Sequence, residues 1–148
     1  MNEEWVTYYL GMAEYVSRKS KDPSTRCGCV IVRPDKTLCS IGFNGFPSAI
    51  KDDPVLLNNR DQKYKFVVHA EDNAFKHSRD VDMTGYSLFV YPFMPCPHCA
   101  LDIVSNGIKN VYTRPTPDDK KARWNEKFKV TQEIFYEGSV DLHIIQYP

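Results

Sequence analysis

Two short segments carry the residue types with the most specific chemistry. His69 and Glu71 place an imidazole two positions from a carboxylate, and Cys96 and Cys99 place two thiols in a Cys-x-x-Cys spacing. Thiolates and imidazoles are ligands that zinc prefers, and a zinc ion with three protein ligands keeps a fourth position open for water. The two segments therefore predict a catalytic zinc held by His69, Cys96 and Cys99, with Glu71 beside the ion but not bound to it.

Glu71 is the predicted proton carrier of this site. Zinc lowers the pKa of bound water to near neutrality, and a carboxylate in the first turn of the following helix can approach that water. We expect Glu71 to take up the proton as a general base and to deliver it to the reacting molecule as a general acid.

The competing interpretation is a closed structural zinc site, because Cys-x-x-Cys is often half of one. A closed site needs a fourth ligand. The candidates are the remaining cysteines and histidines: Cys27, Cys29, Cys39, His77, His98 and His143. A free cysteine in a strand is usually a small core residue, and His98 is expected to point away from the metal. The presence of Glu71 favours catalysis, since a structural site needs no proton carrier.

Both metal-binding segments are predicted to lie where a strand or loop leads into a helix. Apolar residues at three- and four-residue steps predict a first helix over 5–16, ended by the turn at 22–24. Apolar runs over 27–33 and 37–43, with a turn at 34–35, predict a hairpin. Residues 44–64 are rich in glycine, proline, aspartate and asparagine, which predicts one long polar loop.

The rest of the chain alternates between helical and strand patterns. It predicts helices over 69–77, 96–106 and 118–136, and strands over 86–91, 109–113 and 140–145. Pro97 suits the first turn of its helix, and Gly107 suits the end. This order predicts a single α/β domain over residues 1–148, with a mixed five-stranded sheet and helices on its faces.

Composition limits the partners that the chain can take. Lys plus Arg and Asp plus Glu number 19 each, so we expect no polynucleotide-binding face, although a pocket for one phosphate is compatible with this balance. No apolar run is long enough to predict a membrane span. Five cysteines, an odd number, in a chain without a secretion signal favour reduced thiols, metal ligation and a cytoplasmic location.

Four stretches together resemble the deoxycytidylate deaminases of the cytidine deaminase-like superfamily. The segments at 69–74 (His-Ala-Glu-Asp-Asn-Ala) and 95–99 (Pro-Cys-Pro-His-Cys) are typical of the whole superfamily. The segments at 21–32 and 42–47 resemble the deoxycytidylate branch in particular. The resemblance extends over nearly the whole chain.

The resemblance implies a three-layer α/β/α fold and the zinc-dependent hydrolysis of dCMP to dUMP and ammonia, a step that supplies dUMP for thymidylate synthesis. It also implies a homo-oligomer, commonly a hexamer. Members of this branch are often activated by dCTP with Mg2+ and inhibited by dTTP, so both nucleotides are expected effectors.

The same resemblance assigns the substrate contacts, besides the zinc ligands and the proton shuttle named above. Asn44 corresponds to the asparagine that contacts the sugar. The main chain at Ala70, Met94 and Pro95 is expected to hold the edge of the base, and Phe93 to occupy the aromatic position of the pocket.

Other residues near these positions have two interpretations. The loop tied to the allosteric nucleotide corresponds to 42–47, with candidates Gly42, Gly45, Phe46 and Pro47, although an Asn-Gly pair is equally typical of an ordinary turn. Thr25 and Arg26 are candidates for substrate binding. Arg26 can hold the 5′-phosphate through a two-pronged hydrogen bond, or it is a solvated charge at a strand edge. Most of four further cations are expected at the surface: Lys21, Lys51, Arg60 and Lys63.

Two other functions compete with dCMP deamination. The first is a deaminase of another substrate, such as dCTP, free cytosine or an adenosine in RNA, and the neutral net charge disfavours the last of these. The second is a non-catalytic module stabilised by zinc, which Glu71 disfavours.

Overall fold

A mixed five-stranded sheet organises the chain, and the computed structural model describes all residues from 1 to 148. The sheet has the order β2-β1-β3-β4-β5, and the strands are β1 (Gly28–Val32), β2 (Leu38–Phe43), β3 (Ser87–Tyr91), β4 (Asn110–Thr113) and β5 (Asp141–Ile144). β1 pairs antiparallel with β2 and with β3, whereas β3, β4 and β5 run parallel. The predicted hairpin and mixed sheet are confirmed.

Six helices accompany the sheet: α1 (Glu3–Ser17), α2 (Pro54–Asn58), α3 (Arg60–Phe66), α4 (Ala70–His77), α5 (Pro97–Ser105) and α6 (Asp118–Glu137). None of them has the length and apolar composition needed to cross a membrane. Successive residues of β1 reach opposite faces: Val30 and Val32 pack with α1, while Cys29 and Ile31 pack with α4, α5 and α6. Because both faces are covered, β1 is apolar throughout. The expected three-layer α/β/α fold is confirmed.

The two metal-binding segments lie at the starts of α4 and α5. His69 is the N-cap residue of α4 and Cys96 is the N-cap residue of α5, with Pro97 in the first turn as predicted. Since α5 connects β3 to the parallel strand β4, its start follows the carboxyl end of β3. The partial positive charge of two helix starts therefore falls on one site, where it favours thiolate over thiol.

Residues 44–64 do not form one long loop, so that prediction is wrong. They contain α2 and most of α3, which begin at capping side chains: Oδ1 of Asp53 accepts a hydrogen bond from the N–H of Val55 at 2.9 Å, and Oδ1 of Asn59 from that of Gln62 at 3.2 Å. Caps rather than apolar periodicity start these helices. Two backbone hydrogen bonds between Gly45 and Val68, 3.1 and 2.8 Å long, close the ends of this segment against each other.

Candidate active site

The three predicted zinc ligands converge in the structure. Nδ1 of His69 lies 3.5 Å from Sγ of Cys96 and 3.3 Å from Sγ of Cys99, and all three atoms lie within 4.8 Å of one another. In a tetrahedral zinc site with ordinary bond lengths, nitrogen and sulfur ligand atoms are about 3.6 Å apart. Both the donor set and the spacing therefore fit zinc.

No fourth cysteine, histidine or carboxylate joins this group. Cys29 is fully buried in the core, and Nε2 of His143 lies 3.0 Å from Oδ1 of Asn110. The side chain of His98 is 76% exposed and faces Asp102 at 3.8 Å, so it points away from the other ligands as expected. Three protein ligands and an open side are the arrangement of a catalytic zinc site rather than of a closed structural one.

Hydrogen bonds among these three side chains shift their pKa values. The hydrogen bond from Cys99 lowers the pKa of Cys96, and the same contact raises the pKa of Cys99. The contact with Cys96 raises the pKa of His69 to about 9. Metal ligands must be deprotonated, so a zinc ion bound here would displace the protons held by Cys99 and His69.

Glu71 lies in the first turn of α4 and lines the same cavity as His69 and Cys96. Only 6% of the residue is exposed. Burial raises the pKa of Glu71, and the neighbouring His69 opposes this shift. A carboxylate with a raised pKa is a stronger base than one in open solvent, which suits a proton carrier.

The cavity collects most of the predicted substrate residues. Its lining includes Thr25, Asn44, Ala70, Phe93 and Met94. Pro95 is buried, and its carbonyl accepts a hydrogen bond from the hydroxyl of Thr131 at 2.8 Å. Arg26 is exposed and does not line the cavity.

The residues predicted to bind an allosteric nucleotide lie outside this cavity. Gly42 is buried against α4, where a β-carbon would overlap the backbone of Ala70 and Ala74. Gly45 closes the segment that ends at Val68, Phe46 packs edge-on against Phe66 with ring centroids 6.1 Å apart, and Pro47 is exposed. Gly42 therefore has a packing role, because its size lets α4 approach β2.

A polar network fixes a second part of the cavity wall. Oδ1 of Asn44 accepts a hydrogen bond from the N–H of Cys27 at 2.8 Å, and its Nδ2 donates to the carbonyl of Thr25 at 3.0 Å. Nζ of Lys63 donates to Oδ1 of Asp22 at 3.1 Å. Of the four further cations, most of which were expected at the surface, three are exposed (Lys21, Lys51 and Arg60), whereas the buried carboxylate of Asp22 holds Lys63 in the cavity wall.

The long helix α6 supplies a wall that the sequence patterns did not indicate. Arg123, Trp124 and Phe128 all line the cavity. Phe93 lies against this wall, with its ring centroid 5.8 Å from that of Trp124 and 5.4 Å from that of Phe128. The helix itself was predicted, but its four-residue spacing of Trp124 and Phe128 is also that of an ordinary core face.

Comparison with known proteins gives this geometry a context. The sequence pattern of the "Cytidine and deoxycytidylate deaminase zinc-binding region" matches residues 3–114, so α6 lies beyond it. A protein of Aliivibrio fischeri described as an uncharacterized deaminase in the luxG 3' region is 37% identical over 142 residues, which cover 96% of this chain and 94% of that protein.

Two further relatives carry a named activity. The deoxycytidylate deaminase of Homo sapiens is 37% identical over 113 residues, which cover 73% of this chain but 63% of the human protein. The crystal structure of a dCMP deaminase from the cyanophage S-TIM5, in complex with dCMP and dUMP, superimposes with a TM-score of 0.76. The two sequences are 26% identical, and the superposition includes 98% of this chain and 99% of the cyanophage chain.

Proposed function

The chain belongs to the cytidine and deoxycytidylate deaminase family, and we propose that it hydrolyses dCMP to dUMP and ammonia with one bound zinc ion. The observation that carries this proposal is the convergence of His69, Cys96 and Cys99 beside the buried carboxyl of Glu71. The relatives described as deoxycytidylate deaminases, and the similar cyanophage enzyme with its bound dCMP and dUMP, support the choice of substrate.

Glu71 moves the protons of the proposed reaction. Zinc held by the three side chains would supply Lewis acidity and lower the pKa of water at the site. Glu71 takes up a proton from that water and delivers it to the ring nitrogen next to the reacting carbon, while the water oxygen bonds to that carbon. Glu71 then takes the remaining proton from that oxygen and gives it to the amino group, so that a carbonyl forms, the carbon–nitrogen bond breaks and ammonia leaves. One water is consumed and one ammonia is released for each dCMP.

The cavity walls suit a base and a sugar. The backbone at Ala70 and Met94 offers hydrogen-bonding groups for the edge of the base, and Phe93 offers a flat apolar surface. The amide of Asn44 is fixed by its bonds to Cys27 and Thr25. Its Oδ1 keeps a second lone pair, which can accept a hydrogen bond from a sugar hydroxyl.

The phosphate is assigned to Arg123 and Lys63 rather than to Arg26. Both line the cavity, and Arg123 forms no salt bridge within 4.0 Å. Burial, and then repulsion from the nearby Arg60, lower the pKa of Arg123, so a phosphate at this position would stabilise the guanidinium. Arg26 stays a prediction as a phosphate ligand, since it is exposed outside the cavity.

The wider biological role is also a proposal. By resemblance, we propose a homo-oligomer, such as a hexamer, that supplies dUMP for thymidylate synthesis in the cytoplasm. The same argument extends to activation by dCTP with Mg2+ and inhibition by dTTP, with Gly45, Phe46 and Pro47 as candidate contacts. A dCMP titration whose curve keeps its shape when either effector is added would contradict this regulation.

A substrate panel tests the proposed reaction directly. Purified protein with zinc quantified per chain would be assayed for ammonia release from dCMP, dCTP, deoxycytidine and cytosine, and we expect dCMP to give the highest kcat/KM. Faster turnover of dCTP or of an unphosphorylated compound would overturn the choice of substrate. The absence of any ammonia would favour the non-catalytic interpretation.

A matched pair of histidine variants tests the proposed ligands. His69→Gln should lose bound zinc, whereas His98→Gln should keep it, because His98 lies within the Cys-x-x-Cys loop yet points into solvent. Equal zinc content in both variants would contradict the assignment of His69.

A further inference from the structure

Nε1 of Trp124 is the one buried side-chain nitrogen or oxygen of the protein that has no hydrogen-bond partner. Such groups are rare in folded proteins, because an unpaired buried N–H loses its bonds to water and gains nothing in return. Trp124 lines the cavity described above. A ligand in that cavity can therefore supply the missing acceptor.

The surroundings of Trp124 favour an acceptor with negative charge. Cζ of Arg123 lies 5.2 Å and Nζ of Lys127 lies 5.1 Å from the indole centroid. Neither cation has a carboxylate oxygen within 4.0 Å, so neither forms a salt bridge. An oxygen of a phosphate group matches both the unpaired N–H and the positive charge.

Packing holds the indole ring of Trp124 in place. The indole stacks on Phe128 with ring centroids 5.6 Å apart and planes at 12°, and Phe128 is only 3% exposed. Phe93 covers another part of the ring, with its centroid 5.8 Å away. An indole held among aromatic rings offers a donor in one fixed direction, whereas the long side chains of Arg123 and Lys127 can follow a ligand.

We propose that the indole N–H of Trp124 donates a hydrogen bond to a phosphate oxygen of the bound nucleotide, and that Trp124 thereby selects phosphorylated substrates over nucleosides. This inference rests on the proposed function, since it concerns the same cavity. A site with a buried donor rejects a ligand that lacks the matching acceptor, because the donor is then left unpaired.

Kinetics of Trp124→Phe test the inference, since phenylalanine keeps an aromatic ring and lacks the N–H. We expect kcat/KM for dCMP to fall about tenfold, mainly through KM, and kcat/KM for deoxycytidine to fall much less. The matched control is Trp5→Phe on α1, whose indole stacks on Tyr9 outside the cavity. An equal loss on both substrates would indicate a packing role and overturn the inference, as would no loss on dCMP.

A second measurement does not depend on turnover. The protein contains two tryptophans, Trp5 and Trp124, so a 15N-labelled sample has two indole N–H signals, which the two variants assign. Adding dUMP to the zinc-loaded protein should move the Trp124 proton downfield, and deoxyuridine at the same occupancy should not. Equal shifts with both ligands, or none with dUMP, would overturn the inference.

The two proposals fail in different ways. If the wild-type protein does not deaminate dCMP, the proposed function fails, and the indole titration alone decides the role of Trp124. If the wild type deaminates dCMP but Trp124→Phe does so equally well, only the role of Trp124 is wrong.

Discussion

The ammonium of Lys63 and the carboxylate of Asp22 form the most deeply buried ion pair of the protein, with side chains 6% and 8% exposed. Asp22 also accepts hydrogen bonds from the N–H groups of Ser24 and Thr25, at 2.8 and 3.2 Å. One carboxylate therefore joins α3 to the loop before β1, and both carry residues of the cavity wall.

Lys63→Met should destabilise the protein, because it leaves the carboxylate of Asp22 buried without its partner. Removing one member of a buried pair costs about 3–5 kcal/mol, which denaturant unfolding would measure. Lys65→Met, an exposed position on the same helix, is the control and should change the free energy of unfolding little. Similar values for the two variants would mean that the pair contributes no more than a surface charge.

Glu71→Gln should lower kcat by about 10²- to 10⁴-fold, because glutamine cannot carry a proton. Zinc content should remain that of the wild type, since Glu71 is not among the ligands. Glu133→Gln, at an exposed position of α6, controls for loss of a negative charge. Normal turnover by the Glu71 variant would refute the proposed proton carrier.

Gly42→Ala should destabilise the fold, since a β-carbon there meets the backbone of Ala70 and Ala74, whereas the space around Gly45 is open. Overpacking costs about 1–3 kcal/mol, and the unfolding free energy of Gly45→Ala should stay closer to that of the wild type. Equal unfolding free energies for the two variants would contradict this packing role, because α4 would then move away from β2 at no cost in free energy.

The stabilising contribution of ionised Asp80 should be lost in acid. The hydrogen bond from Arg33, followed by that from Tyr86, lowers the pKa of Asp80 to about 2. Because the folded-state value lies below the unfolded value of about 3.9, this stabilisation is complete above about pH 4 and is lost as the pH falls toward 2. The difference in unfolding free energy between wild type and Asp80→Asn should therefore shrink between pH 5 and pH 2.5. A difference that does not change with pH would argue against the shift.

The metal end of the site could be predicted because its residues lie in short, continuous motifs. The spacing of His69 and Glu71, and of Cys96 and Cys99, can be recognised in short sequence segments without knowledge of the fold. The central strands and the longer helices were equally predictable, because the strands are short continuous apolar runs and the helices bury one face with a recognisable period.

The rest of the cavity could not be predicted, because its residues meet only after folding. Nothing in the local pattern separates Arg123 from the other cations of α6, and Lys63 resembles a surface residue until the fold brings Asp22 to it. The short helices α2 and α3 were missed since five and seven residues are too few to show a helical period, although both begin at capping residues.

The position of α6 beyond residue 114 means that the cavity is built from two separate stretches of the chain. His69, Glu71, Cys96 and Cys99 fall within the stretch shared across the family, whereas Arg123, Trp124 and Phe128 fall after it. Substitutions in α6 can therefore alter one wall of the cavity without replacing any of the residues that converge on the metal-binding end.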